Sequence, residues 1–285
     1  MDPNARNAHP RLGHPSTSIT DLFRLDNRTI LIAGGGGAVG LEVAKSVLET
    51  GGDVILLDRA EQPLNTEGEW QRVQDAASQH QNQVLYYACD ITDPSNLQRL
   101  FVGAISQTRF PLRGLVTCHG LSAGGSALDF ATSTLTKLLD VNVTGTFSIA
   151  QLCAREFQRT NSAGSIVLFA SMSAHVYNKG VDTAAYNASK AAIVQLARSL
   201  AGEWGSRVGT PLIRVNTVSP GYIRTRQTAE TLAEPGMDEL WSEGNMLGRL
   251  SFADEYRGAV QYFLSDASSF VTGTDLRVDG GHTAW

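Results

Sequence analysis

Thr29-Ile30-Leu31-Ile32-Ala33-Gly34-Gly35-Gly36-Gly37-Ala38-Val39-Gly40 is the stretch on which the fold turns. Its first five residues form a largely apolar run that stops at four glycines. Leu41, Ala44, Val47 and Leu48 then repeat at helical spacing until Gly51-Gly52 ends the element. A buried strand, a glycine turn and a helix in that order let the backbone approach a pyrophosphate, whose charge is held at the helix N-terminus. Gly35, Gly37 and Gly40 satisfy GxGxxG, while Gly34, Gly37 and Gly40 satisfy GxxGxxG. The turn therefore points to a dinucleotide without choosing a subfamily.

Working outward, Thr29–Ala33 is followed by strand-like runs at residues 53–57, Val84–Ala88, 114–117, 165–170 and 213–218. Most are nearly continuous in apolar residues, as strands covered on both faces must be. Helical patterns fill the gaps, the longest over residues 135–159 and Ala184–Trp204. Strand alternating with helix predicts one α/β domain, a doubly wound Rossmann fold with a parallel sheet. Residues 1–24 read as a flexible N-terminal arm and 25–285 as the domain. The polar stretch 226–244 breaks the alternation, as a substrate lid or as a surface helix.

The composition narrows the classes. The chain has 285 residues, 42% of them apolar and 18% charged, with a net charge of −5. No block of Lys and Arg could neutralise phosphates, so nucleic acid is not an expected partner. No apolar run approaches the roughly 20 residues of a membrane span. The first 20 residues hold three prolines and no apolar core, unlike a secretory signal. Cys89, Cys118 and Cys153 are scattered and odd in number, which fits a reducing cytoplasm and buried small hydrophobes. No His/Cys cluster has zinc spacing, so no metal is expected.

Several side chains then carry chemistry. Eighteen residues beyond Gly40, Asp58 closes the run Leu56-Leu57-Asp58. A carboxylate there accepts hydrogen bonds from an adenosine ribose and repels a 2′-phosphate, favouring NAD, while the adjacent Arg59 keeps NADP open. Asp90 and Ile91 follow the third strand, placed to touch the adenine, and Asp90 also reads as the N-cap of the next helix. Tyr186 and Lys190 lie four apart on a strongly helical stretch and so share one face. A phenol near pKa 10 is a poor proton donor at neutrality, and a nearby ammonium lowers it. His119, His175 and Tyr177 fall near the expected substrate mouth and read as shape or packing residues.

With those residues in order, residues 25–285 resemble a short-chain dehydrogenase/reductase. The loop 33–40 is similar to that family's Thr-Gly-x-x-x-Gly-x-Gly, with Ala33 for the Thr and Ala38 for the middle Gly, and implies cofactor contacts at Gly34, Gly37, Ala38 and Val39. Asn142, in Asp140-Val141-Asn142-Val143-Thr144-Gly145, matches the family's helix asparagine, which helps hold a proton-relay water. Tyr186 and Lys190 match the catalytic pair. Pro220-Gly221-Tyr222-Ile223-Arg224-Thr225 matches a segment whose Ile223 and Thr225 contact the nicotinamide amide. Thr117-Cys118-His119-Gly120 departs from the usual Asn-Asn-Ala-Gly, although Gly120 still admits the cofactor. Strand register makes Ser171 the catalytic serine, whereas counting back thirteen residues from Tyr186 gives Ser173.

Ser171-Met172-Ser173 and the C-terminal residues resemble fungal polyol and ketose reductases of the sorbose, mannitol and arabinitol type. Against that branch, Lys179-Gly180-Val181-Asp182 replaces its Pro-Gln stretch. The resemblance implies hydride transfer between NAD(P)H and a carbonyl or alcohol of a small-molecule substrate, and a homo-oligomer, dimer or tetramer. The alternatives are a ketoreductase of specialised metabolism with a bulkier substrate, a non-catalytic dinucleotide-binding regulator, or an epimerase of the extended family.

Overall fold

The apolar runs become the strands of one sheet. A computed structural model of the chain describes residues 17–205, 209–226 and 228–285. Among them, β1 (Thr29–Ala33), β2 (Asp53–Asp58), β3 (Val84–Ala88), β4 (Leu112–Thr117), β5 (Gly164–Phe169), β6 (Ile213–Pro220) and β7 (Asp275–Val278) pair in parallel in the order β3-β2-β1-β4-β5-β6-β7. The helices are α1 (Ile19–Leu22), α2 (Ala38–Glu49), α3 (Glu69–His80), α4 (Pro94–Ile105), α5 (Thr132–Leu139), α6 (Thr146–Arg159), α7 (Ala184–Trp204), α8 (Ala229–Leu232), α9 (Met237–Glu243) and α10 (Arg257–Leu264).

Helices cover both faces, which is why the central strands are largely apolar. One core packs Leu31, Leu115, Ile166 and Val215 with Phe101, Ile149 and Ile193; the other packs Ile30, Ile32, Val116 and Val167 with Leu41, Val47 and Phe263. Each such side chain, fully withdrawn from water, contributes about 1.5–3 kcal/mol. Alternate residues of β1 thus feed opposite cores, as the two-residue period of a strand requires.

Three features differ from the sequence reading. The stretch 135–159 is two helices joined by a π-helical segment, Asp140–Gly145. Ile91 packs so closely on Gly145 that a Cβ there would lie 2.8 Å from its Cγ2. The seventh strand, β7, was not expected at all. Asp93, rather than Asp90, caps α4, accepting from the Ser95 and Asn96 N–H groups at 3.1 Å each.

Of the segment read as an arm, residues 1–16 lie outside the described residues. Ile19–Leu22 form a helical turn capped by Ser18, and Leu25 is fully buried in the core. The polar stretch 226–244 holds α8 and α9. Strand order reverses between β1 and β4, and Ala33 aligns with both Leu57 and Thr117 there, so three strand ends meet at one edge. In open α/β sheets that switch point is where ligands bind.

Candidate active site

At the switch point a groove of about 640 Å³ is lined by Gly34, Gly37, Asp58, Asp90, Ile91 and Gly120, together with Arg59, Cys118, His119 and Lys137. Gly34 has φ of +76°, and a Cβ on it would overlap the backbone of Cys118 and His119. The turn therefore passes directly under the β4 end, which only glycine permits. Gly37 is the N-cap of α2, and Ala38 and Val39 open its first turn, where a helix has N–H groups without intrahelical partners. Asp58 closes β2, its Oδ2 accepting from the Gly36 N–H and its Oδ1 from the Ala60 N–H, each at 3.0 Å. Asp90 Oδ1 accepts from the Thr92 hydroxyl at 2.7 Å and its N–H at 2.8 Å, which holds the carboxyl below its ordinary range.

Beyond Gly120 the groove meets a second cluster. The π-segment presents the Asn142 side chain to the chain after β4: Oδ1 accepts from the Leu121 N–H at 2.8 Å, and Nδ2 donates to Leu121 O and Ser189 Oγ at 2.9 Å each. Lys190, on α7, is buried and donates through Nζ to Phe169 O at 2.9 Å. A Cβ on Gly120 would lie 3.5 Å from Lys190 Nζ and 3.7 Å from Asn142 Oδ1, so both polar groups stand next to that glycine, although neither lines the groove itself. Tyr186, one turn before Lys190, has its ring centroid 5.9 Å from Nζ.

Burial sets the electrostatics here. It pushes the Tyr186 phenol above its usual value, and the Ser171 hydroxyl acts on it in the opposite direction. Burial brings Lys190 down to about 8. The expectation that Lys190 draws the phenol down is thus not what dominates; loss of hydration does, and it favours the neutral form of each. His119 is brought down to about 4, first by burial and then by the charge of Lys190.

Of the two candidate serines, Ser171 is the one whose side chain acts on Tyr186. Its Oγ also accepts from the Ser173 N–H at 3.1 Å, starting the turn Met172–Ala174. Ser173 Oγ instead accepts from Asn178 Nδ2 at 2.8 Å and is buried. Ile223 and Thr225 lie after β6, tied to each other through Thr228, and the groove lining does not reach them. Nor does it reach Ala38, Val39, Asn142, Ser171, Tyr186 or Lys190.

Comparison with known proteins supplies the family. The family described as Enoyl-(Acyl carrier protein) reductase matches residues 36–283. The short chain dehydrogenases/reductase notP' of Aspergillus versicolor is 53% identical over 99% of this chain and 96% of its own length. The chain belongs to the short-chain dehydrogenase/reductase family. Sorbose reductase sou1 of Schizosaccharomyces pombe is 34% identical, over 93% of this chain and 99% of that protein. The crystal structure of the NADPH-dependent 3-quinuclidinone reductase from Rhodotorula rubra superposes with a TM-score of 0.83 at 32% identity, covering 96% of this chain and 97% of the other. As a short-chain dehydrogenase/reductase the chain is an NAD(P)-dependent oxidoreductase of a small-molecule substrate, and no described helix is long and apolar enough to cross a membrane.

Sequence reasoning missed some polar partners in this dehydrogenase/reductase. Ser189, inside the Tyr-x-x-x-Lys stretch, joins Asn142 to the Tyr186 carbonyl, to which it donates at 2.7 Å. Thr146 Oγ1 bridges Asn142 O at 2.7 Å and His119 Nε2 at 3.0 Å. Thr146 stands four residues after Asn142, a spacing that would have flagged it had the helix been read residue by residue.

Proposed function

We propose that the chain is a carbonyl reductase and alcohol dehydrogenase in which Tyr186 is the proton donor, Ser171 orients the substrate oxygen, and Lys190 and Asn142 sustain the proton supply. The observation that carries this reading is that Lys190 and Asn142 stand next to Gly120, which lines the dinucleotide-sized groove, while Tyr186 is beside Lys190 and the Ser171 hydroxyl acts on it. The groove fits a nicotinamide dinucleotide, because its glycine turn leaves no room for a side chain and a carboxylate closes its far end. Gly34, Gly37, Ala38 and Val39 would hold the pyrophosphate, Asp58 the adenosine ribose, Asp90 and Ile91 the adenine. Gly120, Lys190, Ile223 and Thr225 would hold the nicotinamide half. The bound cofactor supplies or takes the hydride.

In reduction, the Ser171 hydroxyl and the Tyr186 phenol both donate to the carbonyl oxygen, and Tyr186 gives up its proton as the alkoxide forms. A donor aimed at developing negative charge is worth about 10²-fold in rate. Burial, which keeps the phenol protonated, suits that direction. Asp58 favours NADH, with Arg59 beside it as the residue through which NADPH is also accepted. The likeness to sorbose reductase supports a ketose or polyol substrate. The likeness to 3-quinuclidinone reductase favours, as a second reading, a bulkier ketone.

The free cysteines Cys89, Cys118 and Cys153 fit a cytoplasmic protein. The exposed apolar side chains Phe270, Leu276 and Trp285 fit a homo-oligomer. A panel of ketoses, polyols and 3-quinuclidinone, followed at the nicotinamide absorbance, tests the activity. Tyr186→Phe is expected to bind cofactor normally and lose most turnover. A variant within about tenfold of the parent, about 1.4 kcal/mol in the barrier, overturns the role of Tyr186.

A further inference from the structure

The polar stretch after β6 is fastened to the segment that carries Ile223 and Thr225. On one side that segment is held through its backbone. Ile223 forms a parallel bridge with Ser251, whose N–H donates to Tyr222 O at 3.0 Å and whose carbonyl accepts from the Arg224 N–H at 2.9 Å. On the other side it is held by side chains of α9. The Trp241 indole lies flat on the Tyr222 ring, with centroids 3.9 Å apart and planes within 2° of parallel. One turn earlier, both Asp238 oxygens accept from Arg224 Nη2 at 2.7 Å. Tyr222 and Arg224 are alternate residues, so an extended backbone turns both towards α9 and leaves Ile223 packed on the core. The two fastenings are unequal. The Arg224 and Asp238 side chains are 41% and 39% exposed, and water weakens such a pair. Trp241 is only 5% exposed, and a buried ring pair has a preferred geometry to keep. Neither Trp241 Nε1 nor the Tyr222 hydroxyl has a hydrogen-bond partner among the described residues, so ring faces rather than polar atoms join them.

We infer that Trp241 is a positioning residue for the nicotinamide half of the cofactor: stacked on Tyr222, it clamps residues 222–225 against Ser251 and so fixes Ile223 and Thr225. The inference rests on the reading given above that Ile223 and Thr225 hold that half. The stretch 226–244 thereby has a task, with α9 as a strap on the segment that follows β6. Neither Tyr222 nor Trp241 lines the groove that holds Gly34, Gly37 and Asp58, so the adenosine half should not feel the strap. The reacting half should, because misplacing a reacting group by about 1 Å costs about a hundredfold in rate.

The experiment titrates the full chain with NADH and with ADP-ribose, which lacks the nicotinamide, and measures kcat with the best ketone of the panel. Trp241→Leu keeps apolar bulk but offers Tyr222 no flat face. It is expected to raise the dissociation constant for NADH by about threefold to tenfold, the loss of one hydrogen bond. It should lower kcat by roughly 10- to 100-fold, while ADP-ribose binds within about twofold of the parent. Trp241→Phe keeps a ring on Tyr222 and gives up only an unpartnered N–H, so it should recover most of both quantities. Tyr222→Leu removes the stack from its other side, carries the same expectations, and serves where Trp241→Leu fails to fold. Adding Trp241→Leu to it should cost less than about threefold more in kcat, since residues acting through one another are not additive. Equal values for the Phe and Leu variants, or ADP-ribose affinity falling in step with NADH affinity, overturns the role of Trp241 and leaves the reading of the segment standing. Thr225→Val tests that reading. It too should weaken NADH against ADP-ribose, and a parent-like ratio overturns the reading and the inference with it.

Discussion

His119 occupies a position at which an imidazole carries a cost. Its Nε2 meets Thr146 Oγ1, its Nδ1 is enclosed without a hydrogen-bond partner among the described residues, and the Lys190 charge is near. Burial first, then that charge, brings its pKa to about 4, against about 6.5 in an unfolded chain. Between those values the unfolded chain binds a proton that the folded chain refuses, so stability must fall as pH drops from about 6.5 towards 4. Thermal unfolding followed from pH 7 to pH 4.5 should show this slope, and His119→Ala should flatten it whatever the variant does to stability at pH 7. An unchanged slope removes His119 from the account. None of this was legible in Thr117-Cys118-His119-Gly120, where the ring reads only as a shape or packing residue. Counting along the chain likewise cannot see that Asn178 engages Ser173, which is what favours Ser171 in the proposed site.

Elements carry the cofactor choice. The end of β2 brings Asp58 into the groove, and the Gly36 and Ala60 N–H groups hold both carboxylate oxygens in place. A 2′-phosphate there would meet like charge and displace ribose hydrogen bonds worth roughly 1.5–3 kcal/mol each, so NADH should be preferred at least about tenfold in kcat/KM. Arg59, also lining the groove, can grip a phosphate bidentately. Asp58→Ser should accordingly move the ratio towards NADPH, as kinetics with both cofactors will reveal; a parent that already prefers NADPH contradicts the role given to Asp58. This element could be read in advance because Val54, Ile55, Leu56 and Leu57 are apolar without a break, the mark of a strand buried on both faces. The π-segment could not. Its extra residue leaves apolar positions such as Leu138, Ile149 and Cys153 looking like one continuous helix, and only the folded backbone of Asp140–Gly145 exposes the irregularity. Nor could β7, because Asp275-Leu276-Arg277-Val278 is short, alternating and half-exposed.

At the scale of the molecule, β7 is an edge, and an edge strand offers unpaired N–H and C=O groups to any chain that can reach it. Large apolar side chains of the C-terminal segment that holds it are exposed: Phe270 fully, Trp285 by 80% and Leu276, on the strand itself, by 37%. Aromatic and aliphatic side chains left in water near one sheet edge are the composition of an interface rather than of a free surface. The oligomer proposed above would cover them with a second copy of the chain, because a two-fold interface lets one patch satisfy itself. The parent protein should therefore run as a dimer or tetramer in light scattering coupled to size exclusion. Phe270→Glu combined with Leu276→Arg should release smaller species that keep the far-ultraviolet circular dichroism of the parent. A parent that is monomeric at micromolar concentration would show that these side chains face water in the working enzyme.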